Sequence, residues 1–307
     1  MKIYFAPLEG LTDSIYRKLH RKYFPGVDKY FTPFFSPTVH RALTSKEARE
    51  LPPADSFNGI VIPQILTKNA EDFLWFAGVC RDLGYGEINL NLGCPSGTVF
   101  AKGKGAGMLR DTDTLDRFLE EIFSATPLPI SIKTRLGVES PEEFPSLLEI
   151  FNRYPIYELT LHSRVRSQFY KGKPDMEAFR YCLENSRVPV CYNGDLFSLQ
   201  DIAHFSAQFP ACNTVMLGRG LIADPGMLSG GTKRETLQDF QDELLREYVT
   251  AFDSERNAMF RLKENWFYLL PTFAGSEKLG KRLRKCTDIT EYKAITREIF
   301  ETLPRIK

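Results

Sequence analysis

The chain has 307 residues, 43% of them hydrophobic, and a formal net charge of +1 at neutral pH. That length suits one barrel of about 250 residues plus an appendage, and near-neutrality excludes a global attraction to a polyanion, so any nucleic-acid surface must be local. The six cysteines (Cys80, Cys94, Cys182, Cys191, Cys212 and Cys286) form no C-x-x-C pair and no regular spacing, which argues against a zinc site and a disulfide framework and for a reducing compartment.

In chain order, short β-prone runs alternate with longer helical patterns. The opening "MKIYFAPLEG" enters a strand and a glycine turn with no apolar segment long enough to target or span a membrane, so a cytoplasmic location is expected. Strands are predicted at 3–7, 29–34, 60–66, 87–92, 129–134, 157–162, 188–193 and 213–218. Between them lie helices with recognisable starts: Asn69 before "AEDFLWFAGVCRDLG", Ser140-Pro141 before "EEFPSLLEIF", and Pro174-Asp175 before "MEAFRYCLENS". Strands alternating with helices pair in parallel, and eight such units predict a closed (β/α)8 TIM barrel, an α/β fold. An open doubly wound sheet is the alternative, disfavoured by the lack of G-x-G-x-x-G after the first strand. After the eighth unit, "GRGLIADPGMLSGGTKRE" leads into three amphipathic helical patterns with no further strand. The expected division is a catalytic barrel over 1–230 and a smaller all-helical domain over 231–307.

Active sites of such barrels form at the C-terminal strand ends. The polar residues predicted there are Glu9, Gln64, Asn91, Cys94, Lys133, Arg135, His162, Arg164, Asn193, Asp195 and Arg219. Each alone has a structural explanation; their joint placement on one rim is what points to chemistry. Asn193-Gly194-Asp195 and Gly218-Arg219-Gly220 follow strands seven and eight, where barrels bind phosphate through backbone N–H groups, and Arg219 can add a charged contact. Lys133 can hold negative charge over the mouth, and Gln64 can satisfy the donor and acceptor edges of a planar ring. This pattern fits FMN. Cys94 stands apart from an ordinary buried thiol, because an alternating strand delivers it to a loop between Gly93 and Pro95.

Six motifs together resemble the tRNA-dihydrouridine synthase family: "APLEGLTD" (6–13), "NLNLGCP" (89–95), "KTRLG" (133–137), "LHSR" (161–164), "YNGD" (192–195) and "MLGRG" (216–220). They occur in the family's order and spread over the whole barrel, and the C-terminal helices resemble that family's tRNA-binding domain. The resemblance implies reduction of the C5=C6 bond of a uridine in tRNA by FMN, itself reduced by NADPH. It assigns Cys94 as the acid that protonates C5. No cation is adjacent to it in sequence, as a thiolate nucleophile would require. It implies that Pro7, Leu8 and Glu9 line the flavin, that Gln64 and Lys133 bind its ring, and that His162 lies on the ribityl side. Asn193, Gly194, Asp195, Gly218 and Arg219 would hold the phosphate end. Asn91 and Arg135 are candidates for uracil contacts, and Lys102, in the glycine-rich loop after Cys94, for closing the site. The chain departs from the family at Leu8, where methionine is common, and in "HSRVRSQFYKG", where glycine or alanine usually follows the histidine.

In "EKLGKRLRK", Lys278, Lys281, Arg282 and Lys285 recur on one helical face while Leu279, Leu283 and Cys286 share another. A solvated charged face explains this pattern in many helices. In a nearly neutral chain it is also where phosphate contacts could be made, so Lys281, Arg282 and Lys285 are assigned to tRNA, with the protein acting as a monomer and without metal or membrane. Two other functions are weighed: an FMN barrel reducing a free pyrimidine, in the manner of dihydroorotate dehydrogenase, and a non-catalytic RNA-binding relative. The sequence does not say which uridine is modified.

Overall fold

The computed structural model describes residues 1–57 and 59–306. Eight parallel strands, β1 (Lys2–Phe5), β2 (Lys29–Phe35), β3 (Val61–Ile65), β4 (Ile88–Leu92), β5 (Ile130–Arg135), β6 (Leu159–His162), β7 (Val190–Asn193) and β8 (Thr214–Leu217), close into a barrel in sequence order. The predicted TIM barrel is thus observed. Strands β5 and β7 begin one residue after Pro129 and Pro189, because proline cannot donate to the ladder; the proline carbonyls still accept from Ile88 N and Leu159 N. All positions of β4 are buried, as a strand covered on both faces requires.

The predicted helix starts are present with their caps. Asn69 accepts from the amide of Asp72 and Asp175 from that of Ala178. At the short turn Pro141–Glu143 that precedes the helix Phe144–Phe151, the Glu143 carboxylate accepts from the Ser140 amide at 2.8 Å. Inside the barrel, Tyr4, Ala6, Phe31, Ile62, Cys191 and Met216 pack together. Below them, at the N-terminal strand ends, Lys29 pairs with Glu87 at 2.5 Å and the Tyr4 hydroxyl donates to Glu158 at 3.2 Å. This end is closed by paired side chains, although Glu87 Oε1 is buried without a hydrogen-bond partner, and barrels of this kind carry their chemistry at the opposite mouth.

Chain contacts divide the molecule into two compact units, one of residues 1–7, 28–195 and 203–216, the other of 8–27, 196–202 and 217–307. The second unit joins the C-terminal helices to the segment that follows β1. Its helix Ser14–Tyr23 packs on the helix Arg234–Phe252 through Tyr16, Phe24 and Phe240, and Tyr248 donates to Asp13 at 2.9 Å. No helix among the described residues is long and apolar enough to cross a membrane.

Candidate active site

Of the six cysteines only Cys94 is partly exposed; the other five are buried. Burial pushes the thiols of Cys80, Cys182, Cys191, Cys212 and Cys286 up, which makes them inert. The loop geometry around Cys94 is set by Asn91, whose side-chain oxygen accepts from Gly93 N at 3.0 Å and Cys94 N at 2.9 Å. Gly105, with φ +57°, passes so close that a Cβ there would lie 2.9 Å from the Cys94 Cβ. Any larger residue would displace the thiol.

Register between strands arranges the polar residues in layers. Gln64, Asn89 and Ser131 are aligned across β3, β4 and β5; Asn91 and Lys133 are aligned above them; Arg135, His162, Asn193 and Met216 follow around β5 to β8. Asn91 and the lower residues form a continuous chain of side-chain hydrogen bonds. Asn91 Nδ2 donates to Gln64 Oε1, Gln64 Nε2 to Asn89 Oδ1, and Asn89 Nδ2 to Ser131 Oγ, all at 2.7 to 2.8 Å. Gln64 is fully buried, so its orientation and that of Asn91 are fixed by this chain. Lys133 is half-buried and has no ion-pair partner among the described residues. Burial, helped by the positive charge of Arg135, lowers its pKa to about 7.

The upper layer carries two fully buried guanidinium groups. Arg135 donates to the carbonyls of Gly93, Val165 and Phe169 at 2.9, 3.0 and 2.9 Å, tying the Cys94 loop to the loop after β6. Expected as a uracil contact, it already spends three donors on backbone. Arg164 is paired with both carboxylate oxygens of Asp195 and donates to His162 Nε2 at 3.1 Å, so the proton of a neutral His162 ring lies on Nδ1. The carboxylate of Asp195 is thereby committed to Arg164. Asn193 donates to the Met216 carbonyl at 2.8 Å. A Cβ at Gly194 would fall 2.0 Å from the Tyr192 hydroxyl, so this turn has to be glycine.

The segment after His162, marked in the sequence only as a departure from the family pattern, builds part of the mouth. Phe169 holds φ +52°, unusual for a non-glycine residue, with its carbonyl gripped by Arg135. Tyr170 lies over the Arg135 guanidinium and 6.0 Å from the His162 ring. Arg166 lies 4.1 Å from the Phe100 ring, and Arg110 lies 4.4 Å from the same ring. The signal was visible as arginines interleaved with aromatics in "RVRSQFY". Lys102 is exposed, at the end of the short helix Gly97–Ala101.

Pro7 is half-buried in the first unit. In the second unit, Leu8 is half-buried and Glu9 exposed, with the Leu8 carbonyl accepting from Leu11 N and Thr12 N. Gly218 caps the helix Arg219–Ala223, and a Cβ at Gly220 would meet the Leu196 carbonyl at 2.5 Å. The Arg219 guanidinium lies 5.4 Å from the Phe197 ring. On the helix Glu277–Lys285, Leu279 and Leu283 are buried, as their shared face predicts, and Lys281 and Lys285 are exposed, whereas Arg282 pairs with Glu298 at 2.9 Å.

A barrel with one accessible thiol, a fixed chain of side-chain amides and, among the described residues, a lysine without an ion-pair partner at its C-terminal mouth has the layout of an enzyme. Solved barrels share the fold: morphinone reductase in complex with tetrahydroNAD matches with TM-score 0.53 and 9% identity over 74% of this chain and 85% of that one. The sequence is more specific. Residues 4–294 match the model of the family described as dihydrouridine synthase (Dus), and the chain belongs to that family. It is 27% identical to the tRNA-dihydrouridine(16) synthase of Neisseria meningitidis serogroup B over 97% of this chain and 94% of the relative. It is 28% identical to the enzyme of the same name from Escherichia coli O157:H7 over 92% and 93%.

Proposed function

We propose that this chain reduces the C5=C6 bond of a uridine in tRNA to dihydrouridine, with FMN as its flavin and NADPH as reductant. The observation that carries the reading is Cys94, partly exposed and held by its own backbone amide on Asn91. The fit to a flavin rests on Lys133: a desolvated amine without a carboxylate partner among the described residues is costly, and an anionic ring offsets that cost. Gln64 and Lys133 would hold the ring, while the backbone of Gly194 and Gly218 with Arg219 would hold the phosphate. Because Arg164 donates to His162 Nε2, the neutral ring would present Nδ1–H as its donor.

When bound, the flavin supplies a hydride to pyrimidine C6. The chain's own residues complete the addition. The Cys94 thiol gives its proton to C5, the thiolate left behind is reprotonated from solvent, and the saturated ring leaves carrying one hydride and one proton more than the uridine that entered. Gly93 and Cys94 cannot drift, because Asn91 and Arg135 hold the loop from two sides. The target base must leave its stack to reach this mouth, in a compartment where tRNA is present, the cytoplasm. We infer a monomer acting on tRNA, and position 16, named for several relatives, is the first to examine. Incubating the purified protein with FMN, NADPH and unmodified tRNA, then mapping dihydrouridine by position, tests the proposal. Absence of dihydrouridine from a flavin-loaded preparation would overturn it.

A further inference from the structure

The second unit contains a cavity of about 700 Å³ that none of the assigned roles uses as a whole. Its walls are mostly apolar and aromatic. Phe267, 67% exposed, stands edge-on to Tyr268 with ring centroids 5.2 Å apart; Trp266 lies behind them, with its indole N–H donated to Tyr292 at 2.9 Å. Phe197 and Arg284 also line it, as do Lys263 and Arg219, the latter assigned above to the flavin phosphate. An exposed phenylalanine beside a roomy aromatic slot is expensive to keep in water unless something stacks there.

We propose that this cavity takes the base of an unstacked RNA nucleotide, with Phe267 as the stacking surface and Arg284 on the phosphate. The inference rests on the tRNA reading above and names a contact distinct from the target uridine. Its size suits one nucleotide, since small-ligand sites span about 300 to 1,000 Å³. The choice of RNA over a free dinucleotide rests on charge. Arg284 belongs to the helix Glu277–Lys285, whose next face carries Lys278, Lys281 and Lys285, all exposed and without an ion-pair partner among the described residues. Exposed cations on the same helix as a base-sized slot match a strand that continues past the bound base, as in other stacking sites for single-stranded nucleic acid.

The test uses the full-length, flavin-loaded protein and its variants Phe267→Ala, Phe267→Trp and Arg284→Ala. Phe267→Ala should weaken binding of unmodified tRNA by roughly 5- to 100-fold, the usual loss for one stacked base. Its salt dependence, flavin content and NADPH oxidation should stay unchanged, and Phe267→Trp should restore affinity. Arg284→Ala should lower the log–log salt slope by about 0.7 to 0.9. Unchanged tRNA affinity in Phe267→Ala overturns the inference. So does a raised KM for NADPH with tRNA affinity intact, which would give the cavity to the reductant. If the wild-type protein neither binds tRNA nor forms dihydrouridine, the proposed function itself fails; a wild type that does both beside an unaffected Phe267→Ala defeats only the cavity.

Discussion

Replacing Asn91 by alanine separates a residue that contacts substrate from one that builds the site. Its side chain makes three short hydrogen bonds, to Gly93 N, Cys94 N and Gln64 Oε1. At about 1 kcal/mol net for each, with a further penalty because Gln64 stays buried and loses a donor, Asn91→Ala should destabilise the protein by about 2 to 4 kcal/mol. That corresponds to a fall in Tm of roughly 3 to 6 °C for a chain of this size. Activity should fall further than stability implies, since the Cys94 amide is released and the thiol is no longer aimed. Urea unfolding followed by tryptophan fluorescence and circular dichroism gives the first quantity, and dihydrouridine formation at saturating tRNA gives the second. If Asn91 served only to touch uracil, the variant would unfold at the wild-type urea concentration with a raised KM alone. That result would refute the reading of Asn91 as the strut of the Cys94 loop.

Cys94→Ala should bind FMN and be reduced by NADPH at the wild-type rate, while dihydrouridine formation drops by roughly 10²- to 10⁴-fold; full activity would remove the cysteine from the mechanism. Arg219→Ala should lower flavin occupancy, read from the visible spectrum, with little change in Tm. His20 is fully buried, and burial lowers its pKa to about 3 against an ordinary value near 6.5. The unfolded chain therefore binds the extra proton across that window, stability falls as pH drops from about 6.5 to 3, and His20→Phe should flatten this limb of a stability–pH profile. Replacing Lys281 and Lys285 together by alanine should reduce the salt slope of tRNA binding by roughly 1.4 to 1.8, whereas Arg282→Ala, whose guanidinium already pairs with Glu298, should change it less.

The barrel was legible because its signals are local: alternating strands, helix starts at Asn69, Ser140 and Asp175, and eight repeats of one unit. The prolines that trimmed β5 and β7 were also visible, and their effect follows from the missing N–H. Cys94 was singled out by its loop setting, and the structure shows why the other five thiols are silent. What was not legible is how side chains share partners across strands. Asn91 and Arg135 read as groups aimed at a substrate, yet both are tied to the backbone of the Cys94 loop, Asn91 through a local turn two and three residues on and Arg135 through a bond to Gly93 across 42 residues that depends on how the strands are brought together. The same holds for Asp195, whose carboxylate is bound to Arg164 across 31 residues. Nor could composition show that residues 8–27 share a compact unit with the C-terminal helices, since that packing joins Tyr16 and Phe24 to Phe240, over two hundred positions apart.

These partnerships add up to an electrostatic bias that the net charge of +1 conceals. At the mouth of the barrel Arg135 and Arg164 are fully buried and Lys133 is half-buried, and among the described residues only Arg164 has a carboxylate partner there, Asp195. Uncompensated buried cations destabilise a fold, and the lowered pKa of Lys133 records that cost. A bound anion reverses it by restoring the charged form of the lysine. Flavin-free protein should accordingly gain stability as pH rises from about 7 towards 10, because the unfolded lysine keeps its proton and the folded one releases it. In Lys133→Met that rise should shrink, and the flavin-free variant should be more stable than wild type at pH 7. The same variant should hold flavin less tightly after reduction than before it, relative to wild type, measured by ultrafiltration in both redox states. Equal retention in the two states would show that Lys133 does not answer to the charge of the ring.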